Sequence, residues 1–262
     1  MKTGVGYRRE ISSWIATHPP GVDCLEITAE HFFHHRQEQL AKLASQVPLY
    51  VHGLALSLGT PGPLDKTHLQ QFKQVADLAR AQWVSDHIAF TRTAEVDLGH
   101  LNPIPPSSEM LQVLVEHVRQ VMDCCQRPML MENITSHVRL TGDLREPDFI
   151  NQLCARSGCK LLLDVTNLFI NARNHGYDPL MWLRDIQPEN IVQLHIVGYS
   201  RQGERYADSH AAPIQNELLD LAREVVKYAP VEAVILERDE DIPDLAGMTV
   251  EIAKLQNLRA GH

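Results

Sequence analysis

Aromatic residues are scarce in this chain of 262, only 6% beside a hydrophobic fraction of 44%, so its core must be mainly aliphatic. No apolar run approaches the roughly 20 residues that cross a bilayer, and the opening Met1–Glu10 segment lacks the apolar centre of a secretion signal. A basic excess is missing too. The 24 lysines and arginines face 33 acidic residues, for a formal net charge of −9. That balance argues against non-specific binding to nucleic acid or to anionic membrane. Cys24, Cys124, Cys125, Cys154 and Cys159 show neither the paired spacing of a metal site nor a disulfide framework. The expectation is a cytoplasmic protein with no nucleic-acid or membrane partner. Linkers, low-complexity tracts and charge runs are also absent, which predicts one domain over 1–262. What the chain does have in unusual number is histidine, fourteen in all.

Short β-rich runs recur along the chain: Gly4–Tyr7, Cys24–Thr28, Leu49–Gly53, Trp83–Ile88, Met129–Glu132, Leu161–Val165, Ile191–Val197 and Val234–Glu237. Amphipathic stretches lie between them, among them Leu69–Arg80, Glu109–Cys125, Asp148–Arg156, Ile214–Tyr228 and Met248–Leu258. Strands alternating with helices imply parallel pairing, and eight such units in this length predict a closed (β/α)8 TIM barrel. The Pro/Gly-rich segments Gly59–Asp65 and Leu98–Ser108 both follow predicted strands and read as long loops, the second a candidate lid.

The chemistry is expected where the strands end, because polar residues at the carboxyl ends of barrel strands point into one mouth. The third strand ends on His52, the fourth on His87, the fifth on Glu132 and the sixth on Asp164, with Asn167 just beyond. The seventh carries His195, the segment after it Asp208 and His210, and the eighth ends on Glu237. Four imidazoles and four carboxylates in one cavity repel or go unsolvated unless cations join them. Mixed His/Asp/Glu donors suit zinc, iron or manganese, and the lack of cysteine disfavours a structural zinc site. Any one of these residues has an ordinary reading: a lone strand-end histidine is usually a hydrogen-bonded core residue, and Glu237 can pair with Arg238. It is their coincidence on every strand from the third to the eighth that predicts a metal cluster. His31, His34 and His35 fall on a loop-to-helix segment and read as solvated or as partners behind the ligands, not as ligands. Cys124-Cys125 sits on a helical pattern and reads as buried. The Asn133-Ile-Thr135 triplet matches a glycosylation acceptor by chance.

The order His, His, Glu, Asp, His, Asp-x-His, Glu resembles the xylose-isomerase-like barrel superfamily, whose endonuclease IV branch arranges such ligands around three metals. A narrower resemblance rests on Gly4-Val-Gly-Tyr-Arg8, Leu25-Glu-Ile-Thr-Ala-Glu30, His52-Gly53 with Ser57-Leu-Gly59, Ser85-Asp-His87 and Glu132-Asn133. It continues through Leu162-Leu-Asp-Val-Thr-Asn167, Asn174-His-Gly-Tyr-Asp-Pro179, Gln193-Leu-His-Ile-Val-Gly198, Asp208-Ser-His210 and Leu236-Glu-Arg-Asp239. These motifs, from Gly4 to about Asp244, look like the DUF692 family of multinuclear non-heme iron-dependent oxidases. The resemblance implies two or three irons, mixed Fe(II)/Fe(III), with O2 as co-substrate. It implies a ribosomally made precursor peptide modified at a cysteine, by β-carbon oxidation or excision or by oxazolone and thioamide formation. The methanobactin and 3-thiaglutamate pathways use such enzymes, many of them with a separate protein that recognises the precursor's leader. Carried over by position, His52, His87, Glu132, Asp164, His195, Asp208, His210 and Glu237 match metal ligands, and Asn167 falls where the endonuclease branch has a further histidine ligand. Asp86 stands where many members have glutamate. Within this picture Glu132 bridges two metals, because one carboxylate has two oxygens to share, and His175 is a candidate for substrate contact or proton transfer.

Three other functions compete. An endonuclease IV-like phosphodiesterase needs a basic collar for phosphates, which the net charge does not supply globally. A sugar isomerase typically places a lysine or acid near its substrate, and no predicted strand ends in lysine. A non-enzymatic binding module has no use for so elaborate a redox-capable cluster.

Overall fold

A computed structural model describes residues 1–93 and 95–258. Eight parallel strands close a barrel: β1 Lys2–Gly6, β2 Cys24–Thr28, β3 Leu49–His52, β4 Val84–His87, β5 Met129–Glu132, β6 Lys160–Asp164, β7 Ile191–Ile196 and β8 Ala233–Leu236. Each pairs with its neighbour in sequence, and β1 closes the ring by pairing with β8 as well as β2. All eight expected strands are present, with ends shifted by at most a few residues. The expectation of one domain over 1–262 extends to the last four residues, which lie outside the described ones.

The twofold period of a strand explains how this sequence builds both a plug and a site. Leu25 and Ile27 of β2 face outward into the layer of helices, whereas Cys24 faces the barrel interior. There Cys24, Tyr50, Trp83, Leu130, Leu162, Ala233 and Ile235 pack as a separate buried cluster that fills the floor. Tyr50 and Trp83 stack with ring centroids 4.1 Å apart, worth about 1 kcal/mol beyond their burial. Two residues further along the same inward faces the chemistry changes: Tyr50 gives way to His52, Leu130 to Glu132, Leu162 to Asp164 and Ile235 to Glu237. Apolar side chains therefore seal the floor, and titratable ones line the mouth.

The helices begin where capping chemistry allows. Asp65 accepts from the Thr67 and His68 amides and starts Lys66–Ala79, so the loop Gly59–Asp65 ends on a cap. Ser107 likewise starts Ser108–Cys125. Three features differ from the sequence expectations. Part of the expected loop Leu98–Ser108 is a strand, Asp97–Asn102, paired antiparallel with Phe90–Arg92. A second hairpin, Gly198–Gln202 with Arg205–Ala212, follows β7 and carries Asp208 and His210. Asn167 and His175, read as loop residues, lie on one helix, Val165–His175, capped by the Asp164 side chain. That helix is buried over most of its surface, from Val165 through Ala172, so it shows no one-sided apolar stripe to read. No helix among the described residues is long and apolar enough to cross a membrane.

Candidate metal centre

Among the described residues the mouth assembles three groups of donors, and two residues are shared between them. His52, His87 and Glu132 form the first group. Glu132, Asp164, His195 and Glu237 form the second, and His210, Glu237 and Asp239 the third. Within each group one donor atom per residue lies within 4.8 Å of the others. Glu132 thus links the first group to the second, and Glu237 the second to the third. Asp164 and His195 are fully buried, and His52, His87, Glu132 and Glu237 nearly so. His210 and Asp208 are partly exposed on their hairpin, and Asp239 is open at the rim.

The spacing tests whether these residues suit a cation. Glu132 Oε2 stands 3.4 Å from His52 Nε2 and 3.5 Å from His87 Nε2, and Glu132 Oε1 is 3.2 Å from His195 Nδ1. Two donors each about 2.1 Å from one metal lie roughly 3.0–3.4 Å apart, so this spacing is the one a shared ion leaves. His52 Nε2, Glu132 Oε2, Asp164 Oδ2 and Asp208 Oδ1 are buried without a hydrogen-bond partner, an expensive state for polar atoms that a metal would relieve. The donor set and its unpartnered atoms fit a metal.

Electrostatics point the same way. Burial pushes the Glu132 carboxyl up, against the pull of His195 and His87. Burial also drives Asp164 well above the usual carboxylate range, helped by the charges of Glu132 and Asp208. His52 is held well below the ordinary imidazole value by burial and by His87 and His195 beside it. Burial alone would lower His87, but Glu132 and Asp86 outweigh it and raise it to about 9. Glu237, which burial would raise, is held well below its usual range by His195 and His210. Without a cation, then, these groups compete for protons, and metal binding would displace protons from the histidines.

Each histidine is also oriented from behind. His52 Nδ1 meets Ser85 Oγ at 2.9 Å, His195 Nε2 meets Glu26 Oε1 at 2.6 Å, and His210 Nε2 meets Asp208 Oδ2 at 3.0 Å. His87 Nδ1 lies 3.6 Å from Asp86 Oδ1, while Asp86 Oδ2 accepts from the Leu56 amide. Such outer partners fix ring orientation and tautomer.

Of the residues expected from the sequence, His52, His87, Glu132, Asp164, His195, His210 and Glu237 come together in these groups. Asp208 instead contacts His210. Asn167 Oδ1 accepts from the Thr135 hydroxyl, and its Nδ2 donates to the Asn133 carbonyl at 3.1 Å. His175 lies off the cluster: its Nε2 donates to the Ser136 carbonyl at 2.8 Å. It lines a neighbouring cavity of about 620 Å³ that starts at Asn133 and Ile88, the residues following Glu132 and His87, and is walled by Ile104, Phe149 and Trp182. His34 and His35 are exposed and His31 largely so; all five cysteines are free thiols and none joins a group. Asp239 and Glu26 were not assigned from the sequence. The signal for Asp239 was its place two residues after Glu237.

Residues 2–260 match the model described as RiPP precursor modification enzyme MbnB/TglH/ChrH. The chain belongs to that family. A UPF0276 protein of Rhizorhabdus wittichii is 32% identical over 248 residues, covering 93% of this chain and 89% of that protein. One from Caulobacter vibrioides is 31% identical over 255 residues, covering 95% and 91%. Among solved structures, a D-psicose 3-epimerase superposes with a TM-score of 0.63 at 14% identity, over 99% of both chains. Endonuclease IV from Thermus thermophilus superposes with a TM-score of 0.62 at 16% identity, over 98% of this chain and 100% of that one. At such identities the likeness establishes the xylose-isomerase-like TIM barrel and nothing further. Membership of the MbnB/TglH/ChrH family makes this chain a modification enzyme for a ribosomally made peptide.

Proposed function

We propose that this enzyme is a multinuclear iron-dependent oxidase that uses O2 to modify a cysteine of its precursor peptide. The observation that carries the reading is the chain of three donor groups joined through Glu132 and Glu237, a design suited to adjacent metals and wasteful for one. In this reading His52 and His87 with Glu132 hold one iron, and Asp164, His195 and Glu237 with Glu132 hold the second. A third, more exposed position draws on His210, Glu237 and Asp239, with Asp208 beside His210; Asn167, whose side chain is held by Thr135 and Asn133, would as a neutral amide be a weaker donor than any of these. When bound, iron supplies O2 reduction and removal of a hydrogen from the cysteine β-carbon, and a thiolate is a soft ligand well suited to it. The protein's own part is to orient the donors and to exclude water from the buried first two positions.

The cavity beside the centre suits the peptide residues flanking the cysteine, and there His175 contacts the peptide. A separate leader-binding protein and a cytoplasmic location complete the proposal. The test is metal content. Protein purified anaerobically from iron-replete cells is expected to hold more than one iron per chain by elemental analysis, with exchange-coupled iron in its Mössbauer spectrum. Stoichiometric zinc, with iron conferring no activity, would reject the oxidase reading.

A further inference from the structure

Beneath the candidate metals a line of buried polar side chains crosses the barrel interior. Trp83 Nε1 donates to Gln193 Oε1 at 2.7 Å. Gln193 Nε2 donates to Glu26 Oε2 at 2.5 Å, and Glu26 Oε1 meets His195 Nε2 at 2.6 Å. Glu26 comes from β2, Trp83 from the approach to β4, and Gln193 and His195 from β7, so the line joins strands that do not pair with one another. Gln193 is fully buried and Glu26 is 3% exposed.

We infer that Glu26 is a positioning residue that sets the tautomer of His195, and that Trp83 sets Glu26's partner through Gln193. The inference rests on the metal-centre reading, and it follows from donor and acceptor chemistry. An indole N–H can only donate. Trp83 therefore takes the carboxamide oxygen of Gln193 and turns its NH2 toward Glu26. The Glu26 carboxylate, an acceptor only when ionised, receives that amide on one oxygen and needs a donor for the other. His195 supplies it, so its Nε2 carries a proton. The opposite nitrogen, Nδ1, faces Glu132 Oε1 at 3.2 Å and Glu237 Oε2 at 2.9 Å, in the heart of the second donor group, where a cation held by both carboxylates would take the place of a proton. A competing arrangement exists. The Gln193 amide nitrogen also lies 3.2 Å from His195 Nε2, and it could donate there if His195 carried its proton on Nδ1, which would cost the metal a donor. The carboxylate is nearer and charged, and a charge-assisted hydrogen bond outweighs a neutral one. Glu26 thereby excludes the tautomer that cannot ligate.

The indole is held in turn. Trp83 stacks on Tyr50 in the floor cluster, and the Tyr50 hydroxyl meets the Cys24 thiol and takes no part in the line. Tyr50→Phe therefore keeps the stack and leaves the line intact, a control for damage to the floor.

The experiment uses the full chain with zinc(II) as a diamagnetic probe. Affinity is measured by competition with a chelator, and the histidine tautomers by long-range proton–nitrogen NMR on protein labelled with 15N-histidine. His195 is assigned by the signal lost in His195→Asn. Wild type is expected to show His195 protonated at Nε2 with zinc on Nδ1. Glu26→Gln should weaken zinc binding about 10–100-fold and shift His195 toward the Nδ1-protonated form. Trp83→Phe frees the Gln193 amide to flip and should act in the same direction, by roughly 3–10-fold, as expected for a partner one step further from the metal. Tyr50→Phe should match wild type. Glu26→Gln and Trp83→Phe proteins that are folded by circular dichroism, bind zinc as tightly as wild type and leave the His195 signals unmoved would overturn the inference while leaving the metal centre standing. A wild-type protein that binds zinc, iron and manganese no better than His195→Asn would overturn the metal reading, and this inference with it.

Discussion

Glu132→Gln is expected to cost the protein its metals and its activity together, lowering metal affinity by at least about 100-fold. Both carboxylate oxygens are committed, one facing His52 and His87 and the other His195. An amide keeps one oxygen and substitutes an N–H donor for the other, which repels a cation and cannot bridge two. Stability separates this effect from simple damage to the core. Burial pushes the Glu132 carboxyl up, so its ionised form opposes folding at neutral pH in the metal-free protein. The neutral amide removes that opposition. Metal-free Glu132→Gln should therefore melt at or above the temperature of metal-free wild type, while the rise expected from metal binding to wild type disappears. A variant that melts well below wild type without metal, or that retains its full iron content, would show that Glu132 serves the core and not a bridge. Calorimetry with and without iron, beside metal analysis, decides between the two.

Gly198→Ala should have the next largest effect, although its backbone adds no donor. A Cβ on Gly198 would sit 2.1 Å from the Pro213 carbonyl oxygen and 2.4 Å from that of Ala212. Both obstacles are backbone, so neither can swing aside. Gly198 pairs with Ala212 at the base of the hairpin that carries Asp208 and His210, and β7 is pinned just before it by reciprocal bonds between Thr166 Oγ1 and the Val197 backbone. The strain therefore falls on the hairpin. Destabilisation of about 3 kcal/mol, at the upper end for overpacking, lowers the melting temperature by roughly 6–10 °C. The third donor group should lose its metal, while the two positions built on barrel strands keep theirs. Unchanged occupancy at all positions would mean that the hairpin tolerates the methyl group and does not fix His210.

These two residues also mark what could be read from the sequence. Glu132 ends a short apolar strand, and the twofold period that buries Leu130 in the floor carries Glu132 to the mouth. The same logic found His52, Asp164, His195 and Glu237, because a parallel barrel strand buried on both faces reads as an apolar run with a polar end. The hairpins left no such trace. Asp97–Asn102 is largely exposed and Arg205–Ala212 only half-buried, so neither shows the alternation that marks a strand. Their one clue was spacing: Asp208 and His210, like Glu237 and Asp239, stand two residues apart, as same-face strand neighbours do. Asn167 departs from its expected loop for a different reason. Asp164 reads as a strand-end donor, but it also accepts the Asn167 amide at 2.7 Å, so the helix starts at once and the loop does not form. Glu26 sits within a recognised motif, but its partner His195 is 169 positions away, a contact that only barrel closure creates.

The most direct test of the whole account is chemical. Any short cysteine-containing open reading frame beside this chain's gene can be co-expressed with this enzyme and any neighbouring leader-binding protein, and the peptide isolated and its mass measured. The expected result is a mass change confined to a cysteine, requiring both O2 and iron, and lost with Glu132→Gln. A peptide of unchanged mass from cells holding iron-loaded enzyme, or a modification that proceeds equally without O2, would contradict it.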